Sequence, residues 1–209
     1  MSNYVVGVAG GSGAPYAKRI VEGLASAGHD VKLVITDAGR RVFGIELDIP
    51  LTGDLASDAG TFKDRLEIGA GTGSLELFDP RDVAATIASG SYKCAGMVVV
   101  PCSMGTLARI ANGISSNLLE RAADVSLKER RPLVLVPRET PLSLIHLRNM
   151  TAVTEAGALV LPAMPGFYHR PQTAQDLVDM IAGRVLDKLG VASDLLQRWA
   201  GERSQETED

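Results

Sequence analysis

Cysteine and histidine are scarce in this chain, and their scarcity excludes several kinds of protein. Cys94 and Cys102 are the only cysteines, and His29, His146 and His169 the only histidines, among 209 residues. Two cysteines are too few for the disulfide framework of a small secreted protein. The histidines lie too far apart in the sequence to assemble a structural zinc site. The sequence therefore predicts neither a disulfide framework nor a metal centre.

Excess positive charge and long apolar runs are also missing. The 21 Lys and Arg residues are outnumbered by 25 Asp and Glu residues, so the net charge of -4 gives no electrostatic reason to expect a nucleic-acid or anionic-lipid partner. The first apolar run, in MSNYVVGVAGG, is broken by glycines, and no basic leader precedes it. Together with the few cysteines, these features predict a cytoplasmic protein with no membrane span and no nucleic-acid partner.

Short apolar runs alternate with helical patterns along the chain. Five runs predict buried strands, at Tyr4–Ala9, Val31–Thr36, Gly96–Val100, Leu133–Val136 and Ala158–Leu161. The segment from Pro15 predicts a helix that ends near Gly28, and Thr173 is available to cap a last long helix. Strand, helix and strand in repetition indicate a parallel sheet with right-handed crossovers. We predict one doubly wound, Rossmann-like α/β domain over residues 1–190, a C-terminal extension over 191–209, and a loop within the glycine-rich stretch 53–73.

The turn after the first predicted strand reads GGSGAP, from Gly10 to Pro15. Its glycines let backbone amides approach an anion, and Ser12 adds a hydroxyl, which together describe a phosphate cradle. Glycines at a strand-to-helix turn also serve tight packing, so both interpretations stay open. The turn lacks the Gly-Lys-Ser/Thr of a nucleotide P-loop, and Tyr16 stands where the dinucleotide pattern needs glycine.

Polar residues also follow the other predicted strands. Thr36 either adds a hydroxyl to the same phosphate or caps a helix. The run PCSMGTL places small residues at a second helix start, where backbone amides could meet the polar edge of a flat aromatic ring. Cys102 is favoured as a core residue over a nucleophile. In VLVPRETPLS, Arg138 and Glu139 are either ordinary loop charges or face a ligand at the end of the sheet.

Cationic side chains recur in the second half of the chain. Arg121 and Lys128 are seven residues apart on a predicted helix, so they lie about 20° from each other and can reach one site, although a solvated basic face is the commoner explanation. Arg184 lies at the edge of the apolar stripe of the last predicted helix, and Tyr168 lies in the turn before that helix. Several cations and a tyrosine hydroxyl are what a small phosphate needs.

Four runs of the chain resemble the flavin prenyltransferases, the UbiX-type family: GGSGAP, PCSMGTL, ERAADVSLKERRPLVLVPRETPLSLIHLRNM and LPAMPGFYHRPQTAQDLVD. The resemblance extends from the first strand to about Gly190 and implies a Rossmann-like flavoprotein. It implies that reduced FMN is alkylated at N5 by dimethylallyl phosphate and that the prenyl group then closes onto C6. The product, prenylated FMN, would serve a UbiD-type decarboxylase. The family needs no metal and forms a homododecamer with active sites at subunit interfaces.

The resemblance also implies roles for individual residues. Those matching FMN contacts are Gly10, Gly11, Ser12, Thr36, Ser103, Met104, Gly105, Thr106 and Arg138. Those matching the prenyl and phosphate site are Ser89, Gly90, Arg121, Lys128, Tyr168, Arg184 and Trp199. Glu139 matches an acid or base near the leaving phosphate, Glu46 matches a carboxylate near the flavin, and Lys128 also counts as catalytic. The chain departs from some relatives at Val83, where they carry an aromatic residue.

Two other functions remain open at this stage. Cysteine decarboxylases of the same superfamily are similar around ARIANGISSNLL, but they carry a Pro-x-Met-Asn segment where this chain has LPAMPGFY. The protein could also bind and deliver FMN without catalysis. Lack of turnover despite tight flavin binding would favour the second of these functions.

Overall fold

Six parallel strands form one sheet at the centre of the structure. The computed structural model describes residues 1–66, 68 and 73–195. The strands are β1 (Asn3–Val8), β2 (Asp30–Ile35), β3 (Leu75–Phe78), β4 (Gly96–Cys102), β5 (Leu133–Pro137) and β6 (Leu159–Val160). Their spatial order is β3-β2-β1-β4-β5-β6, and every neighbouring pair is parallel. The predicted doubly wound α/β fold is confirmed, and its strand order reverses between β1 and β4, where such sheets bind ligands.

Helices cover both faces of the sheet. They are α1 (Ala14–Ser26), α2 (Asp37–Leu47), α3 (Leu55–Arg65), α4 (Met104–Ala111), α5 (Leu118–Lys128), α6 (Leu144–Glu155) and α7 (Ala174–Lys188). The core that contains Tyr4, Val6 and Val8 of β1 also contains apolar residues of α1, α2, α3 and α7. The opposite core contains Val5 and apolar residues of α4, α5 and α6. Consequently α5 and α7 lie on opposite faces of the sheet. Within the described residues, no helix has both the length and the apolar character that crossing a bilayer requires.

The predicted helix ends are present in the structure. Gly28, just after α1, has φ +77°, a left-handed conformation that glycine adopts without steric cost. The Thr173 hydroxyl accepts a hydrogen bond from the Asp176 amide at 3.2 Å and caps α7. These caps fix where α1 ends and where α7 begins.

The glycine-rich stretch is more regular than expected. The sequence predicts a loop within residues 53–73, but residues 55–65 form helix α3, and strand β3 follows without a corresponding prediction. The buried Asp58 carboxylate accepts hydrogen bonds from the Thr52 and Gly53 amides, at 2.7 and 3.0 Å, and so fixes the chain where it enters α3. Phe62 packs edge-on against Phe43 of α2. Tertiary contacts thus hold a segment whose own sequence pattern is weak.

Candidate functional site

The two loops at the switch point of the sheet touch each other. The turn after β1 is linked to the end of β4 by a hydrogen bond from the Ala9 amide to the Pro101 carbonyl, at 3.1 Å. A Cβ atom added at Gly11 would lie 3.5 Å from the Ser103 amide nitrogen and 3.5 Å from the Pro101 side chain. The glycine turn and the start of α4 therefore form one continuous surface at the carboxyl edge of the sheet.

The backbone amides of the glycine turn fall into two groups. Those of Gly13 and Ala14, at the start of α1, donate to one carboxylate oxygen of Glu46 at 2.9 and 2.8 Å. Gly13 has no side chain to cap the helix, so a carboxylate from α2 does it instead. The amides of residues 10–12 donate to no acceptor within the described part of the chain. These three amides fit the phosphate of FMN, which needs several donors.

The packing interpretation of the glycine turn also holds. A Cβ atom at Gly10 would come within 2.5 Å of the Ala38 Cβ atom on α2, a distance that real side chains do not tolerate. Gly13 has φ +132°, a conformation that other residues rarely adopt. Glycine is therefore required at both positions for steric reasons, whatever the turn binds.

Thr36 caps α2, as one of its two interpretations predicted. Its hydroxyl accepts from the Gly39 amide and donates to the Val8 carbonyl, both at 3.1 Å. This pair of bonds joins the end of β2 to the end of β1. A contact between Thr36 and FMN stays a prediction. The two hydrogen bonds fix the position of the hydroxyl that would make this contact.

Arg138 lies beside the glycine turn at the end of β5. Its Nε atom donates to the Ser12 carbonyl at 3.4 Å. Burial raises the pKa of the neighbouring Tyr16 hydroxyl, with Arg138 acting to lower this pKa and Glu46 to raise it. Arg138 and Glu46 therefore both lie close enough to the Tyr16 hydroxyl to influence its ionisation. The sequence analysis uses Tyr16 only to set aside the dinucleotide pattern, although its position one turn after the glycines is a signal that it lies near the site.

Glu139 follows Arg138 and is half-buried at the same edge. Its carboxylate accepts a hydrogen bond from the Thr140 amide at 3.1 Å, a local bond that leaves the second oxygen available to a ligand. Arg138 itself is exposed. The pair therefore sits at the carboxyl edge of the sheet, as the ligand-facing interpretation requires.

Cys102 and the residues after it take different roles. Cys102 is fully buried, which confirms its core interpretation, and desolvation raises the pKa of its thiol to about 12, which disfavours the thiolate form. Ser103 caps α4 by accepting from the Thr106 amide at 3.3 Å. Met104 and Gly105 form the first turn of α4, with Met104 buried and Gly105 exposed. This exposed turn faces the same edge as Gly11.

The structure brings Ser89 and Gly90 together with Lys128, but at the other edge of the sheet. A Cβ atom at Gly90 would lie 2.9 Å from the Lys128 Nζ atom, and Arg131 donates to the Gly90 carbonyl. Lys128 pairs with Glu129 at 2.8 Å. A cavity of about 660 Å³ opens here, lined by residues 1–3, 90–95 and Arg131. It lies at the amino edge, where β1 and β4 begin. Arg131 was not among the predicted site residues, although it follows Lys128 in the KERRP run.

The predicted phosphate-binding cations are not gathered within one chain. Arg121 and Lys128 occupy one flank of α5, about 10 Å apart along its axis, and Arg121 pairs with Asp124 at 3.0 Å. Arg184 is exposed on α7, on the other face of the sheet. Tyr168 is half-exposed after β6 and lies edge-on to His169. Because the sheet separates α5 from α7, a single chain does not place Arg121 and Lys128 beside Arg184. Trp199 lies outside the described residues.

Comparisons with known proteins identify the family of the chain. A family model described as Flavoprotein matches residues 1–186. The chain is 50% identical over 197 residues to the flavin prenyltransferase UbiX of Synechocystis sp., which covers 94% of this chain and 95% of that one. The chain belongs to the flavin prenyltransferase family. Its membership confirms the resemblance found in the sequence.

Solved structures of flavin prenyltransferases and their relatives share the whole fold. AnUbiX in complex with FMN and dimethylallyl pyrophosphate superposes with a TM-score of 0.85 at 37% identity, covering 97% of this chain and 99% of that chain. A dodecameric FMN-dependent UbiX-like decarboxylase from Escherichia coli O157:H7 gives a TM-score of 0.82 at 38% identity, covering 95% and 100%. The similarity in fold therefore extends over nearly the whole chain.

Proposed function

We propose that the protein is a metal-independent flavin prenyltransferase that joins a dimethylallyl group from dimethylallyl monophosphate to N5 and C6 of reduced FMN. The observation that carries this proposal is the meeting of the glycine turn, the start of α4 and Arg138 at one edge of the sheet, in a chain of this family. Reduced FMN supplies the electron-rich ring that is alkylated. The protein supplies binding, orientation and the handling of the leaving phosphate.

At the flavin, the free amides of residues 10–12 would bind the FMN phosphate. The first turn of α4, from Ser103 to Thr106, would lie against the isoalloxazine, and Arg138 would contact the same ring. Glu46 holds the first turn of α1 through two amides. Its carboxylate therefore holds in place the glycine turn that would bind FMN, in addition to the catalytic role that the family implies.

At the prenyl donor, charge grows on the phosphate as the allylic C–O bond breaks. Lys128, Arg121, Arg184 and Tyr168 would stabilise this charge where other prenyltransferases use Mg²⁺. Glu139 would exchange a proton with the departing phosphate. Because α5 and α7 lie on opposite faces of the sheet, these cations would come from different subunits of a homo-oligomer. Ser89 and Gly90 lie beside Lys128 in the same subunit, so they would belong to the same shared site.

We propose a homododecamer as this oligomer, on the basis of the dodecameric relative. Large apolar side chains are exposed on α6, among them Leu144 at 61% and Ile145 at 68%. Apolar surface of this kind is what subunit contacts bury. The recipient of the product would be a UbiD-type decarboxylase, in the cytoplasm.

The diphosphate is a second candidate donor, because the AnUbiX complex contains dimethylallyl pyrophosphate. A cysteine decarboxylase is disfavoured by the 50% identity to a flavin prenyltransferase and by the absence of the Pro-x-Met-Asn segment. The deeply buried Cys102 offers no thiol chemistry to either reaction.

The proposal is tested by anaerobic incubation of the purified protein with reduced FMN and dimethylallyl monophosphate, without added metal. Mass spectrometry of the released flavin should show the gain of one C5 prenyl unit. A parallel incubation with dimethylallyl diphosphate distinguishes the two candidate donors. Turnover with the diphosphate but not with the monophosphate would overturn the assignment of the monophosphate as donor. Unmodified flavin with both donors, while FMN remains bound, would support a protein that only binds and delivers FMN.

A further inference from the structure

An ion pair between a fully buried carboxylate, Glu120 of α5, and a partly exposed guanidinium, Arg109 of α4, whose side chain is 41% exposed, joins these two helices. The Glu120 side chain is 0% exposed, and its Oε1 atom accepts from the Arg109 Nε atom at 2.5 Å. Its Oε2 atom accepts from the Ser116 amide at 2.8 Å. A carboxylate this deep is costly to desolvate, and only a charged partner with further hydrogen bonds makes it tolerable. Glu120 therefore holds Arg109 in one orientation.

Arg109 passes this constraint to the predicted flavin turn. Its Nη2 atom donates to the Thr106 Oγ1 atom at 3.3 Å. The same Oγ1 atom accepts from the Ser103 hydroxyl at 3.0 Å. Thr106 is 3% exposed, and a hydroxyl oxygen has two lone pairs. With both lone pairs engaged, the Thr106 hydroxyl can offer a ligand only its hydrogen.

We propose that Glu120 and Arg109 are positioning residues that set the Thr106 hydroxyl as a hydrogen-bond donor toward the polar edge of bound FMN. This inference rests on the proposed function, since it requires FMN to lie against the α4 turn. The edge of the isoalloxazine carries carbonyl oxygens, which accept hydrogen bonds. A network that fixes a hydroxyl as donor favours such a ring, and it acts without Glu120 or Arg109 touching the flavin.

The decisive variant is Glu120→Gln, which keeps the shape of the side chain and removes its charge. Glutamine has one acceptor oxygen where Glu120 uses two, so it cannot accept from both Arg109 and the Ser116 amide, and the attraction between opposite charges is lost. Arg109 is then held less firmly, and its hydrogen bond to Thr106 weakens. We expect the Kd for FMN to rise about tenfold and the visible absorption band of bound FMN to shift. The KM for dimethylallyl monophosphate should stay within about twofold of wild type, because the prenyl site is not involved.

The matched control is Glu22→Gln, which neutralises another buried carboxylate, 3% exposed and paired with Lys18 at 2.5 Å, on the far half of α1. It should lower the unfolding temperature as Glu120→Gln does, yet leave the Kd for FMN and the flavin spectrum unchanged. A shift of the flavin band in the control as well would overturn the inference, since general destabilisation would then explain both.

A double-mutant cycle guards against a Glu120 variant that folds poorly. Thr106→Val removes the hydroxyl itself. Arg109→Lys keeps the positive charge but removes the guanidinium that bonds Glu120 and Thr106 at the same time. If the network acts through Thr106, adding Arg109→Lys to Thr106→Val should weaken FMN binding no further. Additive losses would overturn the inference. Wild-type protein that binds no FMN would overturn the proposed function together with it, whereas normal FMN binding by Glu120→Gln would overturn the inference alone.

Discussion

At the residue scale, Glu46 and Glu139 occupy different surroundings at the same edge of the sheet. Glu46 accepts two backbone amides and thereby completes the start of α1. Glu139 makes only a local bond to Thr140. Replacing Glu46 therefore changes structure and chemistry together, whereas replacing Glu139 isolates the chemistry. Glu139 is the better position at which to measure a proton transfer.

Glu139→Gln is expected to retain FMN and to slow prenyl transfer about 100-fold or more, because the amide cannot exchange a proton with the departing phosphate. Single-turnover rates with reduced FMN and dimethylallyl monophosphate measure the effect. Glu155→Gln, at the exposed end of α6, is the control and should keep the wild-type rate. A near-normal rate for Glu139→Gln would remove this carboxylate from the mechanism.

At the scale of single elements, backbone conformation decides the effect of two otherwise similar substitutions. A Cβ atom added at Gly28 or at Gly60 meets nothing within 4 Å, but Gly28 has φ +77° and Gly60 lies inside α3. Gly60→Ala should raise the unfolding free energy by about 0.5–1 kcal/mol, and Gly28→Ala should lower it by roughly 1 kcal/mol. Urea denaturation measures the unfolding free energy of both variants. If the two substitutions changed this free energy in the same direction, the account would be contradicted.

Helix α7 should show a pH-dependent stability that originates in its first turn. Hydrogen bonds from the Gln172 and Thr173 amides lower the pKa of the Asp176 carboxyl in the folded protein. The stability that Asp176 contributes is therefore present above the ordinary aspartate pKa and is lost as pH falls through the lowered folded value.

Asp176→Asn should accordingly lower the unfolding temperature at pH 7, and the difference from wild type should shrink below pH 4. Thermal unfolding monitored by circular dichroism across this range provides the measurement. Asp64→Asn changes an exposed carboxylate of α3 and serves as the control. A difference between Asp176→Asn and wild type that is constant with pH would contradict the prediction.

The sequence predicts the elements whose own residues specify them. Runs such as Val98, Val99 and Val100 are fully buried on both faces of the sheet, so their apolar character alone reveals β4. By contrast β3 is a four-residue edge strand with no fully buried side chain, and α3 depends on contacts such as Phe62 against Phe43. A single sequence carries no signal for such contacts.

The candidate site likewise has parts that the sequence predicts and parts that it does not. The glycine turn and the Ser103 turn follow buried strands, so the sequence places them at one edge of the sheet. The separation of Lys128 from Arg184 could not be read from the sequence, because it depends on which face each crossover helix covers. The Arg109–Glu120 pair could not be predicted either, because its partners lie in separate runs of the sequence and only the fold brings them into contact.

At the scale of the whole molecule, the cations proposed for the phosphate lie on opposite faces of each chain. Lys128 stands at the amino edge beside Gly90, and Arg184 lies on α7. One subunit alone cannot present both to the same donor molecule. If they act on one phosphate, the complete site exists only in the oligomer.

Mixing of inactive variants tests this arrangement. Lys128→Ala and Arg184→Ala should each abolish most activity, because each removes one cation from every phosphate site. Subunits mixed in equal amounts and allowed to exchange should regain about a quarter of wild-type activity, since some sites then receive both cations from different chains. Native mass spectrometry confirms the exchange. Exchanged mixtures that stay inactive would contradict a site shared in this way.

The pairing of β1 with β4 bears on how the chain is made. Tyr4 of β1 lies opposite Gly96 of β4, so the central strand of the sheet receives one of its two neighbours only after nearly half of the protein has been synthesised. At ordinary rates of translation this interval lasts on the order of ten seconds. During that time the apolar edge of β1 is open to pairing with another nascent chain. Ribosome-associated chaperones that shield the first hundred residues would therefore raise the yield of folded protein more than chaperones that act after release.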